Sequence, residues 1–377
     1  MRAHVLPDAR LARLAGRFVR LDVNTEEPRN AAFLASFPID AWPTLLVVDP
    51  ATERVVLRRA GTATVAEVLA LAREAEALSR AERAGAAAAA AARAEGLLAE
   101  RRHAEAAAAF REALAAGGPG WRGREAAGAA LVQALGFAGD AGACVGGARE
   151  VLRWLPAGAV RTRVAAQGIA CALELDEGPA RTAALDALEP IGRRALGAEG
   201  ALADDRSWLY DVLSEARAAR GDEAGARALA RAWLRFLESE AARARTPAAR
   251  AAFDAQRVDA ATRLGQPERA LAPLRRSERD LPGDFVPAAN LATLYLELGR
   301  PAEALAAADR ALALAGGPRR IRVLVARARA QEALGDRAGA RDTARRALDE
   351  VAALPEATKP RRPAAVAEAL YRELGGE

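Results

Sequence analysis

Cysteine and histidine are the residues of this chain that could support redox or metal chemistry, and each occurs only twice. Cys144 and Cys171 lie far apart in sequence, so they form no Cys-x-x-Cys pair of the kind that thiol–disulfide exchange uses. His4 and His103 stand at no metal-ligand spacing from either cysteine. We therefore expect no catalytic residue, no metal site and no cofactor. Both cysteines are expected to be buried structural residues of helices.

A short stretch near the N-terminus departs from the alanine- and arginine-rich helical pattern of the rest of the chain. Residues 37–61 read FPIDAWPTLLVVDPATERVVLRRAG, with a Trp-Pro step before an apolar run. The β-branched residues at 44–49 and 54–61 predict the two strands of a hairpin. The first strand is continuously apolar, so we expect it to be buried on both faces. Alternating residues at 17–24 predict a further strand.

Two helices complete this N-terminal region. Residues 27–37 carry Pro28 near a helix start, where proline is favoured. Residues 62–78 form a second helix with an apolar stripe. Thr64 is its predicted N-cap, and Glu67 three residues later completes a capping box. The predicted order of elements is therefore β, α, β, β, α.

This order and the run around Trp42–Pro43 resemble the second half of the thioredoxin fold over residues 17–78. The most specific part of the resemblance is F-P-I-x-x-W-P-T-L-L-V-V. In that family a strand follows an X-Pro step with a cis peptide bond, and the backbone there pairs with the substrate. The resemblance implies a cis Trp42–Pro43 bond and a peptide groove at Trp42 and Pro43. A purely structural turn is an equal alternative at this step.

The first strand of the thioredoxin fold and its Trp-Cys-x-x-Cys motif have no counterpart in this sequence. Residues 1–16 resemble only the remainder of the helix that begins with the motif. Either the two flanking strands pair directly, or the true start of the protein lies upstream of Met1. We favour the second interpretation, because it accounts for the missing strand and the missing cysteines together.

From residue 81 onward a helix–turn–helix pattern recurs. Gly265, Gly299 and Gly335 lie 34 and 36 residues apart, and an alanine follows each of them by five residues. A period near 34 residues is that of the tetratricopeptide repeat, which this part of the chain resembles. About seven helical hairpins are expected, at 87–120, 125–158, 160–195, 207–240, 251–284, 285–318 and 321–354.

The predicted fold class is therefore mixed. An incomplete α/β thioredoxin-like domain at 1–80 precedes an all-α tetratricopeptide-like solenoid at 81–357. Residues 358–377 are expected to form a helix that caps the array, which solenoids need for solubility. Within the array, we expect a poor second helix in the third hairpin and an inserted loop at 238–250.

In the family that the repeats resemble, the first helix of each pair lines a concave surface that holds extended peptides or partner helices. By alignment, the resemblance places six residues on this surface: Gln256, Asp259, Asn290, Thr293, Arg322 and Arg329. A merely solvated face is the alternative for each of them, because function resides in sites and not in folds. The lysine/asparagine clamp with which some members bind a C-terminal carboxylate is absent.

The net charge of +5 and the isoelectric point near 9.9 could indicate a nucleic-acid or membrane-surface partner. Charges of both signs alternate along the helices, without a basic block or an aromatic-basic motif, so we expect no nucleic-acid partner. We find no apolar segment long enough to span a bilayer and no signal-peptide core. The sequence thus favours a cytoplasmic protein, although export is open if the true N-terminus is longer.

These observations predict a non-catalytic protein–protein interaction scaffold with an unidentified protein or peptide partner. The alternative is a thiol–disulfide oxidoreductase of the thioredoxin family whose active-site cysteines lie upstream of Met1.

Overall fold

A computed structural model describes residues 5–25, 27–39, 42–50, 53–79, 85–354 and 359–375 of the chain. These residues are mainly helical, with one two-stranded sheet, and they divide into two compact units. Unit 1 comprises Met1–Val19 and Asp40–Trp233, and unit 2 comprises Arg20–Ile39 and Leu234–Glu377. The domain boundaries after residues 80 and 357 stay predictions.

The segment before the hairpin contains a helix but no strand. Helix α1 (Ala31–Ser36), preceded by a short 3-10 turn, confirms the helix predicted at 27–37. The strand predicted at 17–24 is wrong, because residues 18–24 have no regular structure. Val19 and Leu21 are 89% and 73% exposed. An alternating pattern forms a strand only when a neighbouring strand pairs with its backbone.

The β-hairpin is present as predicted. Strand β1 (Thr44–Asp49) pairs antiparallel with β2 (Arg54–Ala60), with Thr44 opposite Ala60. The residues of β1 are half-buried, so the prediction of burial on both faces is wrong. The reason is that the sheet of the described residues has only two strands. A complete thioredoxin-like sheet is therefore not found among these residues.

Helix α2 (Val65–Ser79) begins with the predicted capping box. The backbone N–H of Thr64 donates to Oε2 of Glu67 at 2.8 Å, and the N–H of Glu67 donates to Oγ1 of Thr64 at 3.2 Å. The two side chains thereby satisfy backbone donors that a helix start leaves without partners.

Seven helix pairs follow, and we call the two members of each pair its first and second helix. The pairs are α3 (Ala86–Ala99) with α4 (His103–Gly117), α5 (Arg124–Phe137) with α6 (Ala141–Leu152), α7 (Ala159–Leu173) with α8 (Pro179–Ala195), α9 (Ala203–Ala218) with α10 (Glu223–Arg243), α12 (Asp254–Leu264) with α13 (Leu271–Asp280), α14 (Phe285–Glu297) with α15 (Pro301–Leu314), and α16 (Arg319–Ala333) with α17 (Arg337–Ala352). The short helix α11 (Pro247–Ala251) lies between the fourth and fifth pairs.

The recurring glycine and alanine have clear structural roles. Gly265, Gly299 and Gly335 adopt φ angles of 76°, 64° and 85°, a left-handed conformation that ends the first helix and that glycine adopts without strain. The alanines five residues later are fully buried: Ala270, Ala304 and Ala340. A small buried side chain at this position lets the paired helices approach closely.

Two predictions inside the array are wrong. Helix α8 is well formed over 17 residues, because it buries Leu185 and Leu188 although Pro190 lies inside it. Residues 238–250 are mostly helical, since α10 continues to Arg243 and α11 begins at Pro247. In both places burial of apolar side chains outweighs weak local propensity.

Each unit has an apolar core built mainly from small and aliphatic side chains. In unit 1 the core joins the inward faces of α3 to α9. In unit 2 the C-terminal helix α18 (Arg361–Glu373) packs against α16 and α17. Its residues Ala367, Leu370 and Leu374 lie in one buried cluster with side chains of those two helices.

Candidate functional site

The Trp42–Pro43 peptide bond is cis, as the thioredoxin resemblance implied. Trp42 is 48% exposed. The carbonyl of Pro43 accepts a hydrogen bond from the N–H of Gly61 at 2.8 Å, so this step is fixed to the end of β2. A role of Trp42 and Pro43 in peptide binding stays a prediction.

Neighbouring first helices of unit 2 bring three of the six predicted surface residues together. Nη2 of Arg322 on α16 donates to Oδ1 of Asn290 on α14 at 3.1 Å. Asp259 on α12 is exposed and lies near enough to stabilise the charge of Arg322. We call the surface around Asp259, Asn290 and Arg322 the C-terminal face.

The other three predicted residues are less closely connected. Thr293 is exposed, and its hydroxyl donates to the carbonyl of Ala289 in its own helix at 3.3 Å. Arg329 is exposed two helical turns from Arg322, hence on the same side of α16. It makes no hydrogen bond or ion pair within the described part of the chain. Gln256 is half-buried, and its Oε1 is enclosed without a hydrogen-bond partner in that part.

The C-terminal face is basic along α16. Arg319, Arg322 and Arg329 are all exposed, and their spacing places them along one side of this helix. Partial desolvation lowers the pKa of Arg322, the carboxylate of Asp259 opposes this effect, and the charge of Arg319 reinforces it. Arginine stays protonated in proteins, so the face presents guanidinium groups. The amide of Asn290 is only 4% exposed and lies beneath Arg322.

Unit 1 contains a cluster of four charges that the sequence analysis missed. Nη2 of Arg59 lies 2.8 Å from Oε1 of Glu67, and Nη1 of Arg163 lies 3.0 Å from Oδ2 of Asp205. Arg163 also pairs with Glu67, and the hydroxyl of Thr62 bonds to Asp205. We call Arg59, Glu67, Arg163 and Asp205 the charge cluster.

The charge cluster is mostly shielded from solvent and internally balanced. Burial alone raises the pKa of Glu67, but the guanidinium groups of Arg59 and Arg163 outweigh it and lower that pKa to about 2. Burial raises the pKa of Asp205, and Arg163 opposes that rise. Two guanidinium groups thus face two carboxyl groups, which is the arrangement that makes buried charges tolerable.

A further buried carboxyl group lies where β2 meets α3. Oε2 of Glu95 accepts a hydrogen bond from the backbone N–H of Arg58 at 3.1 Å, and Nη1 of Arg58 donates to the carbonyl of Leu98 at 2.8 Å. Burial raises the pKa of Glu95 to about 8, and the nearby carboxylate of Glu74 adds to the rise. Glu95 is therefore largely protonated at neutral pH.

The sequence offered no signal for these contacts. Arg59 and Glu67 lie in elements that were predicted, but Arg163 stands 96 residues after Glu67, and Asp205 stands 143 residues after its partner Thr62. A single sequence without related sequences does not reveal such long-range pairs.

The two cysteines are bonded to each other. Cys144 on α6 and Cys171 on α7 form a disulfide, with Cα atoms 6.1 Å apart. Both residues are buried, which confirms the expected burial, but their pairing was not predicted. The alternation of second and first helices along the array could have indicated it, because α6 and α7 are successive elements and both cysteines occupy inward positions.

Within the described residues, no helix combines the length and the apolar character that a membrane crossing needs. The same residues contain no group of histidine, cysteine and acidic side chains arranged to bind a metal ion.

No protein-family model and no curated protein matches the chain. Solved structures to which the chain is similar include a tetratricopeptide repeat protein from Parabacteroides merdae, with 10% identity and a TM-score of 0.49, covering 77% of this chain and 99% of that one. Rap protein in complex with competence and sporulation factor has 9% identity and a TM-score of 0.40, covering 82% and 86% of the two chains. The TPR2AB domain of yeast Sti1 in complex with pHSP90 has 15% identity and a TM-score of 0.29, covering 77% and 98%.

The class of the molecule follows from its own helices. Successive first helices contact each other, α5 with α7 and α7 with α9, then α12 with α14 and α14 with α16. Second helices such as α4, α6 and α15 contact both their own first helix and the next one. Together with the glycine and alanine spacing of 34 and 36 residues in unit 2, this pattern is that of stacked helix–turn–helix repeats, as in α-solenoids.

Proposed function

We propose that the chain is a protein-binding scaffold and that the C-terminal face holds an acidic, extended segment of a partner protein. The hydrogen bond between Arg322 and Asn290 carries this proposal, because it joins two neighbouring first helices into one polar surface. The exposed guanidinium of Arg322 can bind a carboxylate of a peptide, and the buried amide of Asn290 holds this guanidinium in place.

The charge of the face supports an acidic partner. Arg319, Arg322 and Arg329 lie along one side of α16, and Asp259 is the acidic residue of the surface as we define it. A guanidinium group binds a carboxylate through two parallel hydrogen bonds, which gives both strength and orientation. Opposite charge would also speed the encounter of the two proteins.

Peptide binding by the full chain tests the proposal. A phage-displayed peptide library is panned against the protein, and the enriched peptides are synthesised and measured by fluorescence anisotropy. We expect acidic peptides whose affinity falls about tenfold or more in Arg322→Ala, because one charge-assisted interaction is lost.

A matched substitution on a second helix provides the control. Arg341 on α17 is exposed and makes no ion pair within the described residues, so Arg341→Ala should bind the peptides as the wild type does. Equal affinity of all three proteins, or enrichment of peptides without acidic residues, would contradict the proposal.

The proposal also assigns a role to the N-terminal region. We infer that the segment resembling the thioredoxin fold contributes a binding surface rather than a redox centre. In support, both cysteines of the chain are engaged in a disulfide inside the repeats. Disulfides persist in oxidising compartments, so this bond favours export over the predicted cytoplasmic location.

A further inference from the structure

Four successive first helices of unit 1 bind one continuous segment of the same chain, residues 58–67. Along the segment the contacts involve α3, α5, α9 and α7 in turn. Glu95 on α3 binds the backbone of Arg58, and Gln133 on α5 donates to the carbonyl of Ala60 at 3.2 Å. Asp205 on α9 binds Thr62, and Arg163 on α7 binds Glu67. We call residues 58–67 the docked segment and the surface of α3, α5, α7 and α9 that contacts it the N-terminal face.

Two of these contacts recognise backbone and two recognise side chains. Glu95 and Gln133 bind a backbone N–H and a backbone carbonyl, which any extended segment would present. Arg163 pairs with Asp205 of the face itself and also with the carboxylate of Glu67. The N-terminal face therefore has the chemistry of a site for a segment that begins as an extended strand, as in β2, and carries a carboxylate in the first turn of a following helix, as in α2.

The docked segment fills this face closely. Arg58, Ala60, Ala63 and Val65 are buried, and so are Glu95 and Asp205 opposite them. A cleft of about 560 Å³ remains beside the end of the segment, where Thr64–Glu67 adjoin the loop before α7. The segment thus excludes any other ligand from the face while it stays in place.

We propose that the docked segment is an intramolecular ligand of the N-terminal face. Only after residues 58–67 have left it can this face bind a segment of another protein that has the same extended start and a carboxylate in the first turn of a following helix. The contact is autoinhibitory, and it does not depend on the C-terminal face.

Binding of the segment in trans tests this proposal. The probe is a fluorescein-labelled synthetic peptide of residues 54–70, and the proteins are the wild-type full chain and its Thr62→Ala/Glu67→Gln variant. The variant loses two contacts from the segment and none of the residues of the face. Glutamine at position 67 can still complete the capping box, so the helix start is retained. We expect the peptide to bind the variant at least tenfold more tightly than the wild type.

Two controls make the result specific. A peptide with glutamine in place of Glu67 should bind the variant at least tenfold more weakly, because Arg163 then has Asp205 as a carboxylate partner but none from the peptide. The full chain with Glu76→Gln, which alters the ion pair of α2 with Arg17 at 3.3 Å, should bind the peptide no better than the wild type. Equal affinity of wild type and double variant, or no binding to a variant with wild-type circular dichroism, overturns the proposal.

Hydrogen exchange on the wild-type protein gives a second measurement that needs no variant. An intramolecular ligand should open locally, so amides of 54–67 should exchange with a smaller free energy and a smaller denaturant dependence than amides of α5 and α7. If both sets of amides exchange with the same free energy and denaturant dependence, the segment is part of one cooperative core and the proposal is wrong.

Discussion

Glu95 is the buried side chain whose protonation state should most affect stability near neutral pH. Its pKa is about 8 in the folded protein, against 4.5 for an exposed glutamate. Between these values the folded state keeps a proton that the unfolded chain has released. The free energy of unfolding therefore falls as the pH rises through this range, and it levels off above pH 8.

Replacing Glu95 with glutamine should remove this dependence. The amide oxygen can still accept the hydrogen bond from Arg58, but the side chain no longer titrates. Between pH 6 and pH 9 we expect Glu95→Gln to gain about 3 kcal/mol in the free energy of unfolding relative to the wild type. Urea denaturation at several pH values measures this difference.

The control is the same substitution at an exposed site. The side chain of Glu177 is 92% exposed, so Glu177→Gln should differ from the wild type by the same small amount at every pH. A difference between Glu95→Gln and the wild type that stays constant from pH 6 to pH 9 would show that Glu95 is not buried as a neutral acid.

For the two cysteines, burial could be predicted from residue type and position, but their pairing was not predicted. Composition and helix position indicated that Cys144 and Cys171 would be buried, since cysteine is among the most buried residue types. Their pairing required the three-dimensional order of α6 and α7. Closing a loop of this length by a disulfide stabilises a protein by about 3 kcal/mol in the chain-entropy account.

At the scale of elements, close crossings of helices in unit 1 depend on glycine. A Cβ atom at Gly168 on α7 would lie 2.7 Å from Cβ of Ala148 on α6. The Cβ of alanine cannot rotate away, so the two helices would have to separate. We expect Gly168→Ala to lower the free energy of unfolding by about 1–3 kcal/mol, measured by urea denaturation, although alanine is the better helix former.

Gly146 provides the matched comparison in the adjoining helix. It lies inside α6, and a Cβ there would meet no atom within 4 Å. Gly146→Ala should therefore stabilise the protein by about 0.5–1 kcal/mol through helix propensity alone. Stabilisation by both substitutions would mean that α6 and α7 can separate at little cost.

Elements with local signals were predictable from the sequence. The capping box at Thr64 and Glu67, the hairpin of β1 and β2 and the helix pairs all depend on residues close to each other in the chain. The strand expected at 17–24 depended on a partner strand, and its alternating pattern held no information about one. Helix α8 was expected to be poor because the burial of Leu188, which stabilises it, is a tertiary effect that the local sequence does not show.

Prediction of sites from the sequence was limited in the same way, because some of their contacts are long-range. That Asn290 and Arg322 lie on adjacent first helices was predictable, because the repeat period sets successive first helices side by side. The charge cluster was not, because Glu67 lies outside the repeats and no period relates it to Arg163 or Asp205. Contacts within the array follow from its period, whereas contacts between the array and the preceding segment require the structure.

Helix α18 covers apolar side chains of α16 and α17 in unit 2. Leu370 is 2% exposed and belongs to the cluster that α18 forms with α16 and α17. Its truncation leaves a cavity at the end of the array, where no further pair of described helices can cover it. We expect Leu370→Ala to lower the stability of α16–α18 by about 2–5 kcal/mol, seen as faster hydrogen exchange in α17.

Val366 lies on the same helix and provides the control. It distinguishes loss of the buried contact with α16 and α17 from loss of helix stability. It is 40% exposed, so Val366→Ala should change the free energy of exchange of the same amides by less than about 0.5 kcal/mol. Because each repeat in a solenoid is stabilised mainly by its neighbours, the effect of Leu370→Ala should diminish from α17 towards α12. Equal acceleration in all helices from α12 to α18 would instead mean that unit 2 unfolds as a single cooperative body.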